Sequence, residues 1–391
     1  MTLTEIGGTE AMKTMMKIIL ALLCVALPLA AVAEDAARVM PEPYASAVFT
    51  DPSEIPYPAE RDENGYLLPG ASTTSMRLVD EETGEMESYA TEGEFVYENP
   101  ALGLWAYLSP TVQVEIIRYN GNWDDFEQLW FVADVRFDTE AESFARHTYY
   151  LEDATGMDVL GLNKDGVTRG KKNQAIWPKT LAQADRMVIA VNGDFYLGRV
   201  NQDHNTGSIL RQGQVLYEYN PRKGLSFPNL DSAALYPDGS MKVFDAAETT
   251  AAEQLEQGAV NMLSFGPWLV RDGELRDYTG NLYDHRDPRL AVGMAEPGHY
   301  IFIDCEGHIP NNGPKGLTLN ELGALLYYHG ANEAINLDGG NTSVLIFMGE
   351  KLNRTGKVTI ITTPRNQNEL FGVGTSELVR TDWANGDPKK K

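Results

Sequence analysis

The stretch that decides the fold reads Thr318-Leu-Asn-Glu-Leu-Gly-Ala-Leu-Leu-Tyr-Tyr-His-Gly330-Ala-Asn-Glu-Ala-Ile-Asn-Leu-Asp-Gly-Gly340-Asn-Thr-Ser-Val-Leu-Ile-Phe-Met348. Thr318 is a good helix N-cap, Glu321 completes a capping box three residues on, and Gly330 fits the C′ stop. A helix is therefore expected from Leu319 to about His329. Glu333–Leu337 then reads as a strand, Asp338-Gly339-Gly340 as a turn, and Ser343–Met348 as an outgoing strand. Gly349-Glu350 suits a two-residue hairpin turn after it.

Working outward, Val112-Gln-Val-Glu-Ile-Ile and Leu129–Phe137 read as strands with partial alternation, and Tyr300–Ile303 as a buried strand. Pro178–Asp185 is a short helix leading into the apolar strand Met187–Val191, and further short strands are expected near Ile209, Val215 and Met241. Many strands and few helices make this an α+β fold, a large mixed β-sheet domain spanning about residues 99–381.

Residues 34–98 differ in texture. They hold 16 acidic and three basic residues with little apolar periodicity, so they read as an acidic linker or a small β-rich accessory segment, and 382–391 as a polar tail. Ahead of them, Met12-Lys-Thr-Met-Met-Lys, an apolar run Ile18–Ala30 and Ala31-Val32-Ala33 have the form of a secretory signal peptide over residues 1–33. Export is the expectation, with no membrane attachment after cleavage. Cys24 would leave with the signal, so Cys305 could form no internal disulfide and reads as a small core residue. The formal net charge of −24 argues against a nucleic-acid partner, because a phosphate backbone repels a polyanion.

No HExxH, GxSxG or P-loop occurs, and the histidines at 147, 204, 285, 299, 308 and 329 never fall four apart. What the chain does place at strand ends is polar. Asn192-Gly-Asp194 follows Met187–Val191; Asn336, Asp338, Gly339, Gly340, Thr342 and Ser343 follow the Glu333 strand; Asp304 follows Ile303; Arg289 precedes another apolar run. Rigid strand ends can hold side chains in a fixed geometry, and glycines beside them let a ligand approach the backbone. Taken singly, Asp338-Gly339 and Asn192-Gly193 are equally ordinary turns, Asp304 a strand-end cap and Arg289 a surface charge.

The ordered set of Asn-Gly-Asp-Phe-Tyr (192–196), Ile-Leu-Arg-Gln-Gly (209–213), Phe-Gly-Pro-Trp-Leu-Val (265–270), Pro-Arg-Leu-Ala-Val-Gly (288–293), Gly-Leu-Thr-Leu-Asn-Glu-Leu (316–322) and Asn-Leu-Asp-Gly-Gly (336–340) resembles the phosphodiester glycosidase family. The resemblance covers roughly residues 100–380. It departs at Asn341, where the family has a third glycine, and at Asp304-Cys-Glu-Gly-His308, where the family has Asp-Gly-Arg.

The resemblance implies hydrolysis of the glycosidic bond of a sugar-1-phosphate diester, with an N-acetylglucosamine-like sugar. Such cleavage builds positive charge on the sugar and negative charge on the leaving phosphate, so it needs a carboxylate near the anomeric carbon and cations or amides around the phosphate. Asp194, Asp338 and Asp304 are the candidate carboxylates. Arg211 and Arg289 are candidates for the phosphate, with the amides of Gly339 and Gly340. Asn192, Asn336, Thr342 and Ser343 would orient the substrate. No metal ligand set is assigned, although clustered carboxylates and amides could hold Ca²⁺ through oxygen. The competing class is a non-catalytic module that binds surface polysaccharide or serves the cell envelope.

Overall fold

In a computed structural model, the described residues are Arg38, 74–80, 82–123, 126–142, Phe144, 168–169, 174–175, 177–193, 207–218, 230–278, 284–356, 365, 367 and 370–381. The expected signal peptide, the polar tail and Asp194 lie outside them. Among the described residues no helix is long and apolar enough to cross a membrane.

The largest element is an eleven-stranded sheet. Its order is Glu274–Leu275, Trp268–Arg271, Glu333–Leu337, Arg289–Glu296, His299–Glu306, Phe126–Phe137, Val112–Trp123, Leu104–Leu108, Phe95–Asn99, Thr74–Val79 and Met86–Ala90. Neighbours pair antiparallel except Thr74–Val79 with Phe95–Asn99, the parallel pairing that makes the sheet mixed. The expected break at residue 98/99 therefore falls inside a strand, and residues 74–98 extend the main sheet rather than link to it. The acidic texture of 74–98 follows from position. The edge strand Met86–Ala90 holds no buried residue, so charge is tolerated there and discourages edge-to-edge pairing.

Both faces of the central strands are covered, which is why their alternation is weak in the sequence. One face, carrying Val114, Ile116, Phe131, Val135, Leu290, Phe302 and Leu337, packs against two smaller sheets. The first has the order Glu350–Lys351, Leu345–Phe347, Met187–Val191, Phe371–Thr375; the second has the order Gln214–Tyr217, Ile209–Arg211, Asn261–Phe265, Asp231–Leu235, Met241–Phe244. The other face, with Trp130, Val132, Ala291, Ile301, Ile303 and Cys305, packs against the helix Leu319–Tyr328 through Leu319, Leu322, Leu325 and Leu326. Each such buried leucine contributes about 1.5–3 kcal/mol. Burial pushes the Cys305 thiol well above its ordinary range, as befits a core residue.

The capping box forms as expected, with the Thr318 side chain accepting from Glu321 N and the Glu321 side chain accepting from Thr318 N. A second box, Thr250 with Glu253, starts a helix Ala251–Glu256 that the sequence analysis did not assign. The hairpin turn lies one residue earlier than expected. Met348 and Gly349 both have positive φ (47° and 81°), and Phe347 pairs with Glu350. Two consecutive left-handed residues are what the right-handed strand twist favours.

Candidate active site

The site is built where three sheets bring strand ends together. Glu333–Leu337 is buried throughout and ends in the Asp338-Gly339-Gly340 turn, which lies directly on the Pro288–Arg289 backbone. A Cβ on Gly339 would stand 2.3 Å from Pro288 O, so only glycine fits. Gly340 has φ 61° and its N–H donates to the same carbonyl at 3.0 Å.

Asn192, at the end of Met187–Val191, ties this turn to a second sheet. Its Nδ2 donates to Asp338 O at 2.8 Å and its Oδ1 accepts from Val344 N at 2.9 Å. Asp338 N donates to Gly193 O at 3.4 Å. Asn336 reaches the third partner, donating through Nδ2 to Gly266 O at 2.8 Å while Gly266 N returns a bond to Asn336 O at 3.0 Å. Asn336 Oδ1 is buried without a hydrogen-bond partner among the described residues. A buried amide oxygen left unpaired costs about 1–3 kcal/mol, and at 1% exposure the Asn336 side chain is closed to solvent. Asp338 itself is only 6% exposed.

The two arginines flank this turn differently. Arg211 is buried, donates to Met262 O and Leu210 O, and lies with its guanidinium 4.8 Å from the Phe371 ring. The same ring packs on Gly193, where a Cβ would come within 2.4 Å of it. Arg211 therefore backs the Asn192-Gly193 strand end. Arg289 donates through Nε to Leu317 O (3.3 Å) and through Nη2 to His285 O (3.0 Å), and pairs with Asp287 at 3.3 Å. Its burial lowers its pKa from the ordinary guanidinium value.

Register separates the third carboxylate from Arg289. Arg289 pairs with Cys305 and Leu290 with Asp304, so Arg289 and Asp304 point to opposite faces of the sheet. Asp304 is fully buried, accepts a hydrogen bond from Ser343 Oγ, and has its carboxyl pKa raised by burial. Lys351 stands nearby with its pKa lowered by burial, so the low-dielectric surroundings favour the neutral forms of both groups. Asp304 thus supports the Asp338–Ser343 loop from behind. Thr342 Oγ1 accepts from Arg365 Nη1 at 2.9 Å, and Arg365 N donates to Asn341 O.

Asn192, Asn336, Asp338, Gly339 and Gly340 thus converge on one turn, with Ser343, Thr342 and Arg289 immediately beside it. Arg365, Asp287 and His308 join the site without having been anticipated. Arg365 carries no motif of its own, Asp287 stands one residue ahead of the quoted 288–293 segment, and His308 ends the quoted Asp304–His308 segment; Asp287 and His308 become visible only through their contact. Among the described residues no group of three or more His, Cys, Asp or Glu is placed to hold a metal ion.

A buried carboxylate, paired amides and nearby guanidinium groups on rigid strand ends, in a β-rich fold, are chemistry suited to a polar, anionic ligand. Residues 185–377, which contain all of these groups, match the phosphodiester glycosidase family model. An uncharacterized protein of the SPbeta prophage of Bacillus subtilis (strain 168) is 25% identical over 177 residues, covering 44% of this chain. The match spans 26%, about a quarter, of that relative's length. Among solved structures, the zebrafish N-acetylglucosamine-1-phosphodiester alpha-N-acetylglucosaminidase catalytic domain, auto-inhibited by its pro-peptide, aligns with TM-score 0.50 at 17% identity, covering 68% of this chain and 85% of that one. That likeness establishes the shared fold. A hypothetical protein from Synechocystis aligns at TM-score 0.42 and 13% identity, covering 78% of this chain and 69% of that one.

Proposed function

We propose that this chain is an exported hydrolase that cleaves the glycosidic bond of a sugar-1-phosphate diester, with an N-acetylglucosamine-like sugar. The observation that carries the reading is the Asp338-Gly339-Gly340 turn, fastened by Asn192 on one side and seated on the Arg289 segment on the other. In this reading Asp338 stabilises the positive charge that develops at the anomeric carbon or activates the attacking water, a role shared with Asp194. Asn336 and Thr342, both buried, set the shape of the turn that meets the sugar. Arg289 holds the phosphate, whose leaving oxygen already departs as a stable anion and so needs little general-acid help. Export rests on the sequence of residues 1–33.

The test is sugar release from a panel of sugar-1-phosphate diesters, including UDP-N-acetylglucosamine, with calcium and with chelator. Release by the native protein should fall by about a thousandfold or more in Asp338→Asn, since removing one essential charge-stabilising group costs on this scale, while the thermal midpoint stays close to native. An active Asp338→Asn protein would refute the assignment. A folded native protein that binds glycan without releasing sugar would instead indicate the polysaccharide-binding class.

A further inference from the structure

Arg289 has a neighbour that the reaction described above leaves unused. The two oxygens of Asp287 are divided between two cations. Oδ1 lies 3.1 Å from His308 Nε2, and Oδ2 lies 3.3 Å from Arg289 Nη2. With Nε bonded to Leu317 O and Nη2 to His285 O and Asp287, Arg289 Nη1 donates to none of the described residues. The cluster opens to solvent at its rim, where the side chains of Asp287 and His308 are 39% and 35% exposed.

The backbone fixes this arrangement. His308 sits at φ 55°, following Gly307, where a Cβ would come within 2.7 Å of Pro288 N and 2.9 Å of Lys315 O. At the far end of the same loop, a Cβ on Gly316 would come within 2.2 Å of Asp287 O. The loop is therefore pinned at both ends against Asp287-Pro288, beside the carbonyl that receives Gly340 N. The imidazole is carried to Asp287 by close backbone contact and not by a long flexible side chain.

We propose that His308 is a positioning residue for phosphate recognition: its imidazolium occupies one oxygen of Asp287, so that Asp287 orients Arg289 without cancelling its charge and Nη1 is left to grip the phosphoryl group. The assignment of the ligand as a phosphodiester rests on the function proposed above. With His308 protonated, His308, Asp287 and Arg289 together carry one positive charge; with His308 neutral they carry none.

Of the other charged side chains on the neighbouring segments, Arg286 is neutralised by a two-bond pair with Glu321, and Arg354 by Glu306. Lys315 meets this segment through its backbone carbonyl at Gly307. His285 adds favourably to the field at Asp287. The Asp287 contact raises the His308 pKa above its ordinary value, and His308 in turn lowers that of Asp287, so the two partners agree in direction. Anion affinity should accordingly be high when His308 is protonated and decline as pH rises through its raised pKa.

The experiment is a ³¹P NMR titration of the full chain with dimethyl phosphate, a diester whose single charge is constant across the range, between about pH 5.5 and about pH 8.5. Native protein should lose roughly tenfold in affinity across that range, the order expected for one nearby charge in a partly screened site. His308→Asn, a residue type that tolerates positive φ, should bind weakly at both ends. His308→Lys should bind well at both. The native pH dependence persisting in His308→Asn, or no binding by native protein at any pH, would overturn the proposal. Because the titration requires no turnover, it stands apart from the hydrolase reading. If diesters are cleaved, His308→Asn should in addition raise KM at acidic pH while kcat holds. Expected binding behaviour with no diester cleaved would retain the His308 role and remove the proposed reaction.

Discussion

Asp304 and Cys305 are neighbours on one strand but face opposite sides of the main sheet, and the flanks they open onto are built differently. On the Asp304 side, the polar groups are buried and bonded within the fold. Ser343 donates to Asp304, Lys351 Nζ donates to Asn353 O, and Glu306 is 2% exposed while accepting both Arg354 N (2.6 Å) and Arg354 Nε (2.7 Å). On the Cys305 side, Arg289, Asp287 and His308 form a chain that ends at the surface with a donor to spare. Buried polar groups bonded within the fold rigidify a structure, whereas a partly exposed cation with an uncommitted N–H can bind a ligand. The first flank is built as support, and the second is the one that the proposed function makes the recognition flank.

Of the two flanks, the recognition flank should give the larger effect. Arg289→Lys keeps the charge but loses the planar fork that meets a phosphate through two bonds. A loss of about a hundredfold in kcat/KM is expected, the order of one or two charge-assisted hydrogen bonds, with a small change in thermal midpoint. If Arg289→Lys cleaves diesters at the native rate, the phosphate is not bound on this flank.

Glu306→Ala probes the supporting flank and should give the opposite signature. It removes a buried acceptor of three contacts from Arg354, at 2.6, 2.7 and 2.7 Å. Arg354 is 57% exposed and can turn to water, so the cost is limited to about 2 kcal/mol, read as a lower denaturant midpoint. Activity per folded molecule should change little. A large kcat loss with no change in stability would mean that this flank touches substrate and would dissolve the distinction between the two.

How much of this was legible in the sequence depends on how local each signal is. The Leu319–Tyr328 helix and the Glu333–Leu337 strand followed from caps and apolar runs within a few residues of themselves. The Asp338 turn was legible as polar residues at a strand end. The opposed directions of Asp304 and Arg289 were not, because they depend on the register of a hairpin whose turn had to be placed to within one residue. The Glu306–Arg354 and Arg365–Thr342 pairs join segments far apart in the chain, and no local pattern carries such pairing. The Ala251–Glu256 helix did have a local signal in Thr250 and Glu253, but six residues are too few to show an apolar period. The edge strand Met86–Ala90 was hidden by composition, since edge strands are permitted the charge that core strands exclude.

The finest test of the comparison lies at the helix N-terminus beneath the recognition flank. Glu321 completes the cap by accepting from Thr318 N at 2.9 Å, and it also grips Arg286 through two bonds of 2.6 Å, one residue before Asp287. Thr318→Ala removes the hydroxyl that accepts from Glu321 N at 3.2 Å and should cost about 1 kcal/mol, a fall of roughly 2–4 °C in thermal midpoint for a domain of this size. The Arg286 pair is left in place, so Asp287 and Arg289 should keep their geometry and KM should change by less than about twofold, since RT ln 2 is well under the cap energy. A KM rise comparable to that of Arg289→Lys would show instead that the recognition flank takes its order from the helix cap, and that its openness to ligand depends on the helix beneath it.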